Sequence, residues 1–478
     1  MTRLLTPLRL WLLLALVLAA VAMARPIDHD ESQYVAAAVL AAHGLIPYRD
    51  FAYLQTPLQP LLFGPLAGIG GIWTWPLLRL ANAVLGAAAI AFVYRAGRIG
   101  NAGQRPALIA AGLFACCDIL LFSIGTARND ALPAALLAAA LPFVVAAERG
   151  VVSKLPAMLV GLLLAGAAAA KISYALPAAA YGVYALVNRR HLPFFVLIGA
   201  LPAASLVAAS WWSSPEAFVA DVLRFPSLAP AEYYAAGGRL WKLSYAAKAI
   251  DTLKFLALGP ALLAVLLCIR DRRSARQLEA IDWLALAGLI AALLPFPTWR
   301  QYLLPMLPPL FVRLALVLND RSPTRPTLIA GGVFAFAGLV PTLLSLGAWP
   351  MPQAMRDGQA IGDALTRAHV LEPVATLSPQ FLPAARRLPD PRFATGPFYF
   401  RSTALFSPAE EARLGLVSQA RLDQGLAIRP AAILTGGEGA WTSGDDALDA
   451  RLADWATRAG YARVDVAGTR FRLYIRPR

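Results

Sequence analysis

Apolar runs long enough to cross a lipid bilayer recur along this chain, and nothing else in it restricts folding so strongly. A spanning helix takes about 20 largely apolar residues. Segments 8–24, 76–96, 106–125, 131–147, 156–169, 172–187, 192–210, 252–269, 281–297, 301–317 and 327–345 meet or approach that length. The pair 156–169 and 172–187 is short and interrupted around Lys171. It reads as two tilted spans, with one broken element as the alternative. The expected count is eleven spans. With 58% hydrophobic and 15% charged residues, the composition is not that of a string of soluble domains. Cys116, Cys117 and Cys268 sit in or beside apolar runs, which fits neither a disulfide framework nor a zinc site.

The net charge of +15 would point to nucleic acid if it were gathered in a soluble region. Residues 1–345 hold 27 Lys/Arg against 15 Asp/Glu, whereas 346–478 hold 16 against 13. Most of the excess therefore lies between apolar segments, and no nucleic-acid partner is expected. Arg3, Arg9, Arg98, Arg105, Arg149, Lys154, Arg189, Arg190, Arg270, Arg272, Arg273, Arg276, Arg321 and Arg325 fall on one side. The opposite short turns carry little beyond Arg128, Lys171 and Arg300. The positive-inside rule puts the N-terminus in the cytoplasm. Eleven spans then leave loops 25–75 and 211–251 and the tail, 346–478, on the outer face. Segment 8–24, with AMA before Arg25, also has the outline of a signal peptide. A weakly charged start and ten following spans favour an anchoring helix.

The first outer loop concentrates acids at the membrane edge. Asp28 and Glu31 have capping-box spacing ahead of a helix from Ser32 to Ala42, which Gly44 and Pro47 stop. This helix is expected to lie at the membrane surface, followed by a re-entrant or surface helix over Leu58 to Ile72. Capping alone explains Asp28 and Glu31, with Asp30 facing water. The functional alternative points Asp30 or Glu31 into a cavity as a base or metal ligand, because ionisable groups beside apolar cavities are costly. His29 reads as a solvated loop residue. Asp130 is able to cap the fourth span, Lys171 to snorkel, and Asp118 has no partner visible in sequence. Prolines surround Arg300 and Tyr302, which suits a cavity wall better than a straight helix. Acids and bases gathered at one leaflet suit chemistry on a lipid headgroup.

Asp30-Glu31 with Tyr34, then Gly44, Pro47-Tyr48, Asp50, Pro57 and Pro60, resembles the first external loop of the GT-C superfamily of integral membrane glycosyltransferases. The protein O-mannosyltransferases and the lipid A aminoarabinose transferases belong to that superfamily. Arg79-Leu80, Lys171 and Arg300-Gln301-Tyr302-Leu303-Leu304-Pro305 fit its scattered pattern, over roughly residues 8–320. The resemblance implies a multi-pass protein of a bacterial inner membrane that moves a sugar, with inversion, from a polyprenyl-phosphate donor. The acceptor would be a periplasmic glycolipid, cell-envelope glycan or protein. It implies Asp30 as catalytic base with Glu31 beside it, and Arg300, Lys171 and Tyr302 at the donor phosphate. Tyr34, Tyr48, Asp50 and Asp130 are supporting. No cofactor is required by the pattern; Asp28 and Asp30 form a D-x-D that would hold Mg or Mn.

The residue chemistry is compatible. There is no GxGxxG after a strand and no P-loop for a nucleotide donor. A lipid phosphate is a leaving group that needs cations, and inversion needs one carboxylate to deprotonate the acceptor hydroxyl. The tail, 346–478, reads as a small α/β domain. It has a strand in HVLEPVATLSP, then RFATGPFYF after a proline-rich link, a helix over 407–424 and a buried strand in IRPAAILTGG. A helix from Asp445 to Arg458 and a hairpin around Ala467-Gly468 complete it. Glu438, Asp445 and Asp446 read as loop acids and caps. The expected fold is thus a polytopic α-helical membrane protein with a soluble outer α/β tail. Competing functions are an envelope polysaccharide polymerase or ligase, and a transporter or flippase of a lipid-linked substrate. Against transport stand the asymmetric outer loops and the lack of a repeated half.

Overall fold

The computed structural model describes residues 7–272, 278–347 and 349–477. Arg3, Arg273 and Arg276 of the basic loops lie outside the described residues. Each apolar segment of the sequence falls largely on helix. Among the described residues five helical stretches are long and apolar enough to cross a membrane: Leu58–Ile99, Ala131–Glu148, Pro193–Ser213, Arg300–Asp320 and the one that begins with Arg325–Ser345. The number rises to seven if each of two bent pairs is one span. Leu8–Ala24, Lys154–Ala170, Ile172–Val187 and Ala280–Leu293 are apolar but shorter. The Arg300–Asp320 helix is 89% buried and forms the centre of the bundle, whereas Pro193–Ser213 is 17% buried and lines its edge.

Two expected spans are broken. Gln104–Ala115 and Asp118–Ile124 meet at 62°, and Tyr245–Ala257 and Ala261–Asp271 at 94°. The breaks face each other: the Asp118 N–H donates to the Leu258 carbonyl at 3.3 Å. Gly338 lets a third helix pass against them, since a Cβ there would lie 2.0 Å from the Cys116 carbonyl oxygen. This crossing sets Asp118 at the start of the half-helix that leads to the loop 125–130.

Four helices prepare the outer end: α1 (Pro7–Ala24), α2 (Glu31–Ala42), α3 (Leu58–Gly70) and α4 (Thr74–Ile99). The expected surface position of α2 is not what forms. Its residues Glu31 to Leu40 are all buried, between the bundle and the tail. Gly71, at φ +51°, separates α3 from α4.

The tail carries a four-stranded mixed sheet of β1 (Val374–Thr376), β2 (Ala432–Thr435), β3 (Ala462–Asp465) and β4 (Arg472–Ile475), in the order β1-β2-β4-β3. β1 and β2 are parallel, and β4 runs antiparallel to both neighbours, β2 and β3. The expected strands, the hairpin and the helix Asp446–Arg458 with its Asp445 cap all form. RFATGPFYF instead makes the short turns Pro391–Phe393 and Pro397–Phe400, because Pro391, Gly396 at φ +58° and Pro397 break extension. The helix expected over 407–424 stops at Gly415, at φ +64°, and a separate turn follows at Leu422–Gly425. One face of the sheet packs on Leu452 and Trp455. The other shares a continuous apolar core with α2 and α4, through Phe381, Phe471, Val35, Val39 and Trp75. Phe381 meets Trp75 edge-on at 5.1 Å.

Candidate functional site

The site is built around the turn 28–31, where the first loop enters α2. Glu31 points inward. Its Oε1 accepts from Trp75 Nε1 at 3.0 Å, Arg79 Nε at 2.8 Å and the Ala127 N–H at 2.7 Å. Its Oε2 accepts from Arg79 Nη2 at 2.5 Å and from the Asp28 N–H at 3.2 Å. Arg79 spends its remaining donors on the carbonyls of Ala22, Arg25 and Pro26, which closes the end of α1. Burial opposes the charge of Glu31, but Arg79 holds its carboxyl below the ordinary value. Half of the expected capping box is present in the bond from the Asp28 N–H. The other half is shifted, because Asp28 Oδ1 accepts from the Asp30 N–H at 3.0 Å.

Asp30 points the other way and keeps 21% of its side-chain surface exposed. Arg128 Nη1 pairs with Asp30 Oδ2, and with Asp28 Oδ2 at 3.3 Å. His29 Nε2 lies 3.1 Å from Asp30 Oδ1. Burial again works against the charge, yet Arg128 and then His29 keep Asp30 far below the usual carboxylate range. Asp28 is raised, first by burial and then by the neighbouring Asp30 charge. Burial disfavours charging His29, but its bonds to Asp30 and Glu438 lift it to about 10. The solvated-loop reading of His29 is therefore corrected: the ring is wedged between Asp30, Glu438 and, edge-on at 5.7 Å, Phe398.

A second layer lies beneath. Asp130 makes no cap; its carboxylate pairs with Lys171 and, at 3.3 Å, with Arg128 Nε. Lys171 occupies an extended turn between its two helices and is turned inward over the ring of Tyr302, not outward to headgroups. Asp118 finds the partner that the sequence hides in Arg300, at 3.0 Å. Arg300 also stacks 3.5 Å from the centre of Phe122, where Arg128 and Arg25 converge at 5.1 and 5.6 Å. At 28% exposure the Arg300 side chain is more open than those of Arg128 or Lys171. Asn129 is fully buried in the same loop, and among the described residues neither of its amide atoms has a partner, as at a place for water or a ligand group.

Tyr34 and Tyr302 lie within electrostatic reach of Arg128, Asp30 and Asp130. Tyr48 and Asp50 are not drawn into the charged cluster. The Tyr48 hydroxyl donates to the Gln55 carbonyl at 2.5 Å, while Asp50 accepts from the Ile46 N–H at 2.7 Å and pairs with Arg49. Both shape the loop. Sequence reasoning assigned no site role to Arg25, Phe122 or Arg128, and it read His29 and, in the tail, Glu438 as ordinary loop residues. Only Arg25 and Arg128 left a local signal, as cations at the outer ends of apolar runs.

Asp28, His29 and Asp30 form a group able to hold a metal ion, with ligand atoms within 4.8 Å of one another. Two carboxylates and an imidazole suit Mg or Mn, although Arg128 already shares the carboxylate oxygens that such an ion would take.

No protein-family model and no curated protein sequence matches this chain. Its fold does match a crystal structure of ArnT from Cupriavidus metallidurans bound to undecaprenyl phosphate, with a TM-score of 0.53 at 17% identity over 98% of this chain and 99% of that one. The apo state of the same protein matches with a TM-score of 0.50 at 17% identity, covering 98% of each chain. The chain has the fold of ArnT. It is a largely helical, multi-pass membrane-protein fold with a small mixed sheet in the tail, and the match runs through the bundle and the tail alike.

Proposed function

We propose that the protein transfers a sugar from a polyprenyl-phosphate donor to an acceptor at the outer face of the membrane. The observation that carries this reading is the turn 28–31. It presents one partly exposed, ionised carboxylate, Asp30, beside Arg128, one of the guanidiniums that converge on Phe122, in the fold of a protein whose crystal structure holds undecaprenyl phosphate. Asp30 is the base. It accepts the proton of the acceptor hydroxyl as that oxygen attacks the anomeric carbon, opposite the phosphate, and the configuration inverts. Its resting contact with Arg128 keeps it ionised but weakly basic. A donor phosphate that drew Arg128 towards itself would restore basicity when it is needed.

Arg300 holds the phosphate, because it is the open cation and its fork suits phosphate oxygens. Arg128 shares the developing charge. Lys171 is committed to Asp130 and orients the loop 125–130, with Tyr302 beneath it. Glu31 is a structural anchor with no oxygen left for a proton. Asn129 offers buried amide atoms to sugar hydroxyls. A divalent metal on Asp28 and Asp30 would neutralise phosphate charge where Arg128 now does. The unrepeated architecture and the one-sided acidic turn support transfer over transport.

The reading also places the N-terminus in the cytoplasm, eleven crossings, and the α/β tail in the periplasm of a bacterial inner membrane, on the basis of the Lys/Arg distribution. A reporter active only in the periplasm should work after Arg478 and be silent near Arg273; the reverse at both sites would overturn the orientation. The function is tested by incubating the purified protein with a panel of polyprenyl-phosphate sugars and candidate glycolipid, glycan and protein acceptors, then weighing the products. A product heavier by one sugar, formed with release of polyprenyl phosphate, supports transfer. Failure of every donor, with the lipid moved intact across a vesicle membrane, would favour the flippase reading.

A further inference from the structure

The tail reaches into the charged turn at one point. Glu438 is fully buried, and its Oε2 faces His29 Nδ1 across 3.5 Å. Among the described residues neither of these two atoms makes a hydrogen bond, so they meet as a charge contact. On the far side of the ring, Nε2 faces Asp30. The turn that carries Glu438 is tightly built. Asp449 Oδ2 accepts from the Gly436 N–H at 2.7 Å and the Glu438 N–H at 2.9 Å. Gly436 stands at φ +104°, and a Cβ on Gly437 would lie 2.3 Å from Ser378 Oγ. The same turn presents the Thr442 carbonyl to the His29 N–H at 2.8 Å. His29 is thus held by backbone and ring together.

Docking of the tail does not need this arrangement. The apolar core around Phe381 and Trp75 joins tail to bundle, and Asp221 joins Tyr399 of the tail to the Tyr53 N–H of the first loop. Burying a carboxylate against an imidazole adds little stability over apolar packing of similar volume. What it adds is direction, since the group behind one imidazole nitrogen fixes where the other points. We infer that Glu438 is a positioning residue for Asp30, acting through His29, so that the tail completes the catalytic turn. This inference rests on Asp30 being the base.

The test uses the full-length protein, a polyprenyl-phosphate sugar turned over by the wild type, and undecaprenyl phosphate as the binding probe. Glu438→Gln keeps the shape but weakens the hold on the ring. Gly444→Ala keeps the carboxylate but places a Cβ 2.5 Å from Glu438 Oε2, which displaces it. Misplacing a reacting group by about 1 Å costs on the order of 10²-fold, so kcat should fall by roughly that factor in both variants. Donor KM and the affinity for undecaprenyl phosphate should stay near wild type. Because Glu438 acts through His29, Glu438→Gln should cost nothing further in a His29→Gln background. If either single variant that folds keeps kcat within about threefold of wild type, or if the Glu438→Gln and His29→Gln effects multiply, the inference falls. Asp30→Asn in the same assay separates the two failures. Loss of turnover there with an unaffected Glu438→Gln sinks only the positioning role, whereas survival of turnover in Asp30→Asn sinks the base as well.

Discussion

Glu31 and Asp30 are neighbours in sequence and opposites in environment. Glu31 is enclosed by Arg79, Trp75 and two backbone N–H groups, and both of its oxygens are fully used. Asp30 stands at a rim with Arg128 and His29 around it, and part of its surface is accessible. One carboxylate ties α1, α2 and α4 together; the other keeps an accessible edge, as the proposed base requires. The difference follows from helical geometry: adjacent residues at a helix start project about 100° apart, so one turn can face a core and a cavity at once. An acidic pair at a membrane edge is therefore two separate devices.

The strongest way to break this contrast is at the enclosed side. Glu31→Ala leaves the Arg79 guanidinium buried without a counter-charge, and breaking such a pair costs about 3–5 kcal/mol. Thermal unfolding of the purified variant should show that loss. A variant as stable as wild type but inactive would move Glu31 from anchor to catalyst. At the rim the expected effect is functional. Arg300→Ala removes charge-assisted bonds to phosphate of about 1.5–3 kcal/mol, hence roughly 10–100-fold in donor affinity, and it also lowers the unfolding temperature, because buried Asp118 loses its counter-charge. Arg300→Lys should recover part of it, since Lys lacks the planar fork. Unchanged donor binding in Arg300→Ala would hand the phosphate to Arg128 and Lys171.

The smallest effect concerns the fastening of the tail. Burial pushes Asp221 up to about 7, against the pull of its bonds from Tyr399 and Tyr53, and burial likewise pushes Asp449 up to about 7. Each raised acid binds more protons when folded than when unfolded. Their contribution is therefore greatest below the ordinary carboxylate pKa, declines as pH rises from about 4 towards 7, and levels off above that. Glu31, depressed instead, adds no such decline over that range. Relative to wild type, the unfolding temperature of Asp221→Asn should improve as pH rises from about 4 towards 7. A difference from wild type that stays constant with pH would remove Asp221 from the account.

The elements were legible where local chemistry decides them. Apolar length gave the helices, and Ala467-Gly468 gave the hairpin. The breaks at Cys116–Cys117 and at Gly259 were hidden inside runs as apolar as any span, because their cause is a crossing of three helices distant in sequence. The site was legible in part. Asp30, Lys171 and Arg300 stood out as charges in the wrong solvent. Their partners did not, since the pairing of Asp118 with Arg300, Glu31 with Arg79, or His29 with Glu438 exists only after the chain has folded. For the same reason a helix rich in alanine looked like a surface helix, although it is covered by the tail.

The most direct test of the account is turnover in Asp30→Asn, measured beside donor binding and thermal unfolding. The substitution keeps size and most hydrogen bonding and removes the capacity to take a proton. Turnover should drop about 10²–10⁴-fold while undecaprenyl phosphate still binds and the protein remains folded. Turnover within about threefold of wild type would contradict the assignment of Asp30 as the base.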